Sequence, residues 1–133
     1  MPGNIGNVKT IVGSDGAVSI TVASTGTVYT HSFRIPSGAF FGIAVIASAT
    51  GTPDYKVELE QSYTPPATEG SSDGNWVTPD GISPIFAEIA DSSIHIKTVS
   101  PVPMPYARFK LTGLNSNSSD TALTIKLFVQ SEV

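Results

Sequence analysis

Residues 105–130 read PYARFKLTG, LNSNSSD and TALTIKLFVQ in succession. In the first piece Ala107, Phe109 and Leu111 alternate with Tyr106, Arg108 and Lys110. In the last, Leu123, Ile125, Leu127 and Val129 alternate with Thr124, Lys126, Phe128 and Gln130. A period of two is that of a strand with one buried face. The Gly, Asn, Ser and Asp residues between the pieces supply turn chemistry. The simplest expectation is an antiparallel hairpin whose apolar face needs a second sheet to cover it.

Upstream, the same alternation recurs in short runs. Residues 1–7, rich in Gly and Asn, read as a flexible arm, and Val8–Val12 as a short first strand. After the Ser14-Asp15-Gly16 turn, Val18, Ile20 and Val22 alternate with Ser19 and Thr21. Thr27–Ile35 alternates less cleanly, which fits an edge or a strand beside a polar surface. Phe40–Ala49 is apolar on both faces; its β-branched residues and its Gly and Pro flanks favour a central strand over a buried helix. Such a strand is buried between two layers of its own chain, or has a neighbouring subunit on one side. Asp54–Tyr63 alternates again, with Tyr55, Val57 and Leu59 inward and Lys56, Glu58 and Glu60 outward.

From Thr64 to Ser92 the periodicity fails among Pro, Gly, Ser and Asp. A loop of that length tends to carry function or short elements of its own: a brief strand at Asn75–Thr78, and a short helix or ordered loop at Pro84–Ala90. Ser93–Val99 is strand-like, and Pro101, Pro103 and Pro105 make a stiff connection into the last pair of strands. The elements add up to about eight or nine strands, an all-β, two-sheet antiparallel β-sandwich with jelly-roll-like topology as the leading choice. It forms one domain over residues 8–133, with a long loop at 64–92.

Composition agrees. The chain has 133 residues, 14% of them charged and 40% hydrophobic, with 12 Gly and 10 Pro, a turn-rich and β-prone mixture that suits a single core. Seven basic against 11 acidic residues argue against a nucleic-acid partner, since neutralising phosphates needs a basic surface. With no cysteine there is neither a disulfide framework nor a thiolate site. The start, MPGNIGNVKTIVGSDG, lacks the pattern of a secretory signal, and no stretch is long and apolar enough for a membrane helix. A soluble protein made in a reducing cytoplasm is expected.

No motif demands an enzyme. His31 and His95, the two histidines, sit in strand-like runs without a nucleophile elbow. Glu69, Asp73, Asp80, Glu88 and Asp91 scatter through the long loop without the spacing of a calcium loop, and no glycine-rich phosphate loop opens a helix. Neither metal nor cofactor is therefore expected. Glu58 and Glu60 read as solvated charges that discourage sheet extension. Trp76 beside Tyr63 is the best place for a sugar platform, although a lone Trp in a sandwich also serves as a core or loop anchor. Apolar residues in polar surroundings are the more telling feature. Ile5 in the arm, Phe40 and Phe41, Trp76, the loop residues Ile82, Ile85 and Phe86, and Phe128 on the polar face of the last strand either complete the core or form an interface.

The PYARFKLTG and TALTIKLFVQ pieces with their polar turn resemble the carboxyl-terminal hairpin of small virion structural proteins of tailed bacteriophages. DYKVELEQS followed by GNWV is similar to a strand and Trp segment of such proteins. These stretches cover less than half of the chain. The resemblance implies a non-enzymatic capsid decoration (cement) protein or head or tail accessory protein on the virion surface. Its partner would be the major capsid protein, and it would assemble as a homo-oligomer such as a trimer. The alternative is a tail or fibre module that recognises a host glycan.

Overall fold

The computed structural model of the chain describes residues 5–35, 40–48, 51–72, 75–119 and 121–130, the first three and the last by backbone alone. Ten strands and no helix are found among the described residues: β1 (Ile5–Ile11), β2 (Ile20–Val22), β3 (Thr27–Tyr29), β4 (Phe33–Arg34), β5 (Phe40–Ala47), β6 (Tyr55–Ser62), β7 (Phe86–Ile89), β8 (His95–Val99), β9 (Tyr106–Gly113) and β10 (Thr121–Gln130). They form two antiparallel sheets of five strands. The first is ordered β1-β10-β5-β8, with β2 also on β10; the second is ordered β3-β9-β6-β7, with β4 also on β9.

β1 and β2 lie along the same side of β10, and β3 and β4 along the same side of β9, so each pair is one interrupted strand. Counted that way the pairings are nested: first strand with last, second with seventh, third with sixth, fourth with fifth. That nesting is the double Greek key of a jelly roll. The expected architecture is present.

The expected hairpin is not. β9 belongs to the second sheet and β10 to the first, so the polar loop between them is an arch that carries the chain across the sandwich. The apolar faces read from the sequence are correct, with Ala107, Phe109 and Leu111 buried in one layer and Leu123, Ile125 and Leu127 in the other. They face each other across the core instead of lying side by side. Phe41 of β5 joins Phe33 and Phe109 of the second sheet in a cluster of aromatic rings with centroids 5.4–6.3 Å apart.

Asn117 organises the arch. Its Oδ1 accepts from the backbone N–H of Asp54, just before β6, and its Nδ2 donates to the carbonyl of Val22 in β2. One buried amide thereby ties the second sheet to the first. At the end of β9, a Cβ on Gly113 would lie 2.1 Å from the carbonyl oxygen of Ala23, so glycine is required for the β2–β3 turn to pack there.

Other expectations are corrected locally. β1 begins at Ile5, so residues 5–7 of the expected arm are strand, and residues 1–4 lie outside the described residues. The helix or loop considered at Pro84–Ala90 contains strand β7 instead. Glu60, read as solvated, is buried. The Thr27–Ile35 run breaks where buried Thr30 turns its hydroxyl to accept from Phe109 N–H at 2.9 Å.

Two consequences are measurable. Asn117→Ala leaves the buried Asp54 N–H and Val22 C=O without partners, a loss of about 3 kcal/mol in urea unfolding. Tyr55 is fully buried and its hydroxyl has no hydrogen-bond partner among the described residues; burial, with the nearby charge of Asp91, raises its pKa far above the ordinary value of 10.0. The unfolded chain therefore loses this proton first. The contribution to stability is complete below pH 10 and declines as the pH rises above it, which alkaline unfolding at stepped pH would show.

Candidate functional site

The two outer faces of the sandwich differ. On the second sheet, the outward residue Arg108 of β9 is 1% exposed. Its guanidinium stacks on the Tyr29 ring (3.9 Å to the centroid) and the Trp76 ring (4.4 Å), donates from Nε to Glu60 Oε1 at 2.8 Å, and donates from Nη1 to the Ser71 carbonyl at 2.6 Å. The rest of the long loop is fastened with it. Glu69 accepts from the N–H and the hydroxyl of Ser32, both at 2.7 Å. Val77 exchanges backbone hydrogen bonds with Gln61, and Asn75 Nδ2 donates to Thr64 Oγ1. Ile85 is in the core, with Ile82 and Phe86 packed against it. The loop is thus a lid on its own sheet.

On the first sheet none of the described residues plays that part. Cross-strand register sets out two adjacent rows on its outer face: Val8, Phe128, Gly42 and Thr98, then Thr10, Lys126, Ala44 and Ile96. Gly42 and Ala44 on central β5 leave the middle low, and a Cβ on Gly42 would have no neighbour within 4 Å. Phe128 and Val8 rise on one side and Ile96 on the other, bounding a groove of about 470 Å³. Val8 is 62% and Ile96 74% exposed, and Ile46 in the following row is 37% exposed. Apolar side chains on three strands face solvent together, which is the signature of a binding surface.

The charge on this sheet is one-sided. Its strands carry Lys9, Lys97 and Lys126 and no Asp or Glu, in a chain whose net charge is −4. Lys126 Nζ donates to Thr10 Oγ1 at 2.6 Å beside the groove, and Lys97 Nζ donates to the Ile85 carbonyl at 3.0 Å. Only Lys126 of the three stands in the outward rows, since Lys9 pairs with inward Leu127 and Lys97 with inward Ile43.

The residues singled out from the sequence separate accordingly. Phe128 lines the groove. Phe40 is half-buried at the start of β5, paired with Gln130. Phe41 and Ile85 are corrected to core, and Ile82 and Phe86 are half-buried against that core. Trp76 is a loop anchor on Arg108. The Ile5 side chain lies outside the described residues. Val8, Ile46 and Ile96 were missed, although Ile94 and Ile96 alternating with His95 offered a period-two signal for the last of them. Arg108 was missed because outward was equated with exposed.

No catalytic constellation appears among the described residues. His95 Nε2 is 2.7 Å from Asp91 Oδ1, and this hydrogen bond, with one from Ser93 N–H, holds the exposed Asp91 carboxyl below its ordinary pKa. His31 lies 3.7 Å from Glu69 and its Nδ1 is 3.0 Å from the Ser32 carbonyl. Neither histidine has a hydroxyl nucleophile hydrogen-bonded to it. No three His, Asp or Glu side chains converge among the described residues.

The Arg108 cluster gives a test of its own. Arg108→Ala leaves Glu60 buried and unpaired and removes the support of Tyr29 and Trp76. A loss of about 3–5 kcal/mol in chemical denaturation is expected, whereas replacing the pair together by Met and Leu costs less.

No family model matches the chain, and no curated protein matches it in sequence. Three solved structures are similar in shape. The CBM22-1–GH10 modules of Clostridium thermocellum endo-1,4-β-D-xylanase 10B, complexed with xylohexaose, match 96% of this chain at 12% identity and a TM-score of 0.48. The K3 cleaved adhesin domain of Lys-gingipain from Porphyromonas gingivalis W83 matches 86% at 16% identity and 0.42. CorA, a surface-associated copper-binding protein of Methylomicrobium album BG8, matches 97% at 10% identity and 0.44. The chain spans 25%, 71% and 94% of their respective lengths. These neighbours include carbohydrate-associated and adhesin domains, and no residue role is carried over from them.

Proposed function

We propose that this chain is a non-enzymatic binding protein that docks through the outer face of its first sheet, and that its partner is the shell protein of a tailed-bacteriophage capsid, which it decorates. The observation that carries the reading is the contrast between the two outer faces: one covered by the chain's own loop, the other apolar, grooved and covered by none of the described residues. Each apolar anchor buried on docking contributes roughly 1.5–3 kcal/mol. Repeated over many copies, such contacts must be broken before neighbouring shell subunits separate, and in that way the protein resists opening of the shell. The jelly roll is compatible with the role but does not select it, since one fold hosts many functions. The phage assignment and the shell-protein partner both rest on the sequence resemblance, and the character of this face supports docking through it.

A second reading, a tail or fibre module for a host glycan, is favoured by one feature. Tyr63 is 63% exposed beside the segment Asn75–Val77, which runs along Gln61–Thr64 and carries the half-buried Trp76.

Quantitative mass spectrometry of purified particles from the source distinguishes the two. Copies in proportion to the shell protein are expected for decoration, and Phe128→Asp with Ile96→Asp should remove the chain from particles while circular dichroism stays unchanged. A few copies per particle favour the tail reading, and absence from particles overturns both.

A further inference from the structure

Along β5 the residues that point out of the first sheet are Phe40, Gly42, Ala44 and Ile46, in the order large, small, small, large. Phe128 and Lys126 of β10 flank the two small ones on one side, Thr98 and Ile96 of β8 on the other. The groove over Gly42 and Ala44 is therefore walled on both sides and has a bulky residue at each end. At ~3.4 Å per residue its floor is about 7 Å long. Strands ~4.8 Å apart set its two walls on backbones about 10 Å from each other, and the wall side chains narrow that gap. A helix, ~10–12 Å across with its side chains, is too wide to reach the floor. An extended chain laid along β5 would run into Phe40 or Ile46 within a few residues. One side chain entering from above meets neither obstacle.

The chemistry of the walls is as specific as their spacing. Phe128 offers an aromatic ring, against which a second ring packs edge to face or offset. Lys126 is the single charged residue in the two outward rows. Its ammonium has three donors, and Thr10 Oγ1 takes one of them at 2.6 Å. Among the described residues Lys126 forms no ion pair. A carboxylate arriving beside the groove completes it. A second copy laid face to face does not bring one, because the strands of this sheet carry lysines and no Asp or Glu.

We propose that the groove takes a single aromatic side chain of the partner protein, carried on a loop with a carboxylate next to it in sequence that pairs with Lys126. The inference rests on the reading that the chain docks through this face, and it names what the partner must present there. The aromatic ring sits on Gly42 and Ala44, against Phe128 and between the exposed Val8 and Ile96. An aromatic anchor seated in a pocket and ringed by other contacts is the form that the strongest points of protein interfaces take. The carboxylate fixes which way the loop runs over the groove.

The probe is the blocked peptide acetyl-Gly-Trp-Glu-Gly-amide, titrated into the full chain and followed by amide NMR spectra. Shifts should centre on Gly42, Ala44 and Ile96, and a peptide with Ala in place of Trp should not bind. Gln in place of the peptide's Glu should weaken binding about threefold, the size of an exposed ion pair. Lys126→Gln, an exposed substitution, should weaken the Glu peptide equally and leave the Gln peptide unaffected. Gly42→Leu fills open space, since a Cβ there has no neighbour within 4 Å, and should abolish binding with circular dichroism unchanged. Shifts centred elsewhere, an Ala peptide that binds as well, or a Glu preference that survives in Lys126→Gln overturn the proposal. So does a dimer in sedimentation that Gly42→Leu disperses, which would seat a second copy in the groove. Particles separate this from the docking reading: Gly42→Leu that still loads fully onto particles overturns the aromatic anchor and leaves docking intact. Absence of the wild-type chain from particles overturns the capsid reading, while the peptide still decides what the groove takes.

Discussion

The chain has to cross its own core once between its two longest late strands, and the crossing decides the rest. β9 and β10 each bury one alternating row, and those rows meet only if the connecting loop leaves one sheet and enters the other. A loop making that turn runs past the open end of the sandwich, where its polar backbone groups need partners. Asn117 supplies several at once by touching Asp54 before β6, Val22 in β2 and Ser118 beyond it. Once the arch is fixed, β10 lies in the centre of the first sheet and β9 in the centre of the second. The remaining strands add to them in nested order.

The sandwich has one core but two dissimilar outsides. The second sheet carries a charge pair, Arg108 and Glu60, on its outer face, and the long loop closes over it with two aromatic rings and a carbonyl. A buried charge pair adds little net stability against an apolar alternative, yet removing one partner is expensive. It therefore specifies where the loop sits more than it strengthens the fold. Among the described residues the first sheet has no such cover. Its central strand β5 is apolar on both faces, and the outer one, with Gly42, Ala44 and Ile46, is left to solvent. Of the two explanations open for that strand from its sequence, burial between two layers of its own chain is not seen among the described residues.

Period-two alternation made the strands, the buried rows and the sheet count legible, because the pleat imposes the same rule on every strand. It could not say which strands pair, since alternation is identical for a hairpin and for an arch. The residues 114–120 contain the same turn-forming types in either case; only Asn117, with an amide able to serve both sheets, distinguishes the arch, and its reach is a tertiary fact. Alternation also separates inward from outward and nothing more. Arg108 and Glu60 are outward and buried, Ile96 is outward and exposed, and the difference lies in whether a distant loop comes to rest there. Phe41 and Ile85 looked like interface candidates because their surroundings in sequence were unusual; in space Phe41 completes an aromatic cluster and Ile85 closes the core.

The form of the edges narrows how the uncovered sheet can meet a partner. A sheet can recruit another chain along an edge, by adding a strand, or across a face. The edges of the first sheet are β1 with β2 on one side and β8 on the other. Each side carries a lysine, Lys9 and Lys97, and the first is interrupted between Ile11 and Ile20. Lys97 also reaches over to the carbonyl of Ile85, just before edge strand β7 of the opposite sheet, tying the two layers together on that side. The second sheet ends in the short strands β3, β4 and β7. Charge, interruption and shortness are the means by which sheets avoid edge-to-edge pairing. With the edges discouraged, the groove between Phe128 and Ile96 is a surface that offers side chains rather than backbone, so the docking proposed above would be read by the shape of the groove and by Lys126 beside it, not by strand register.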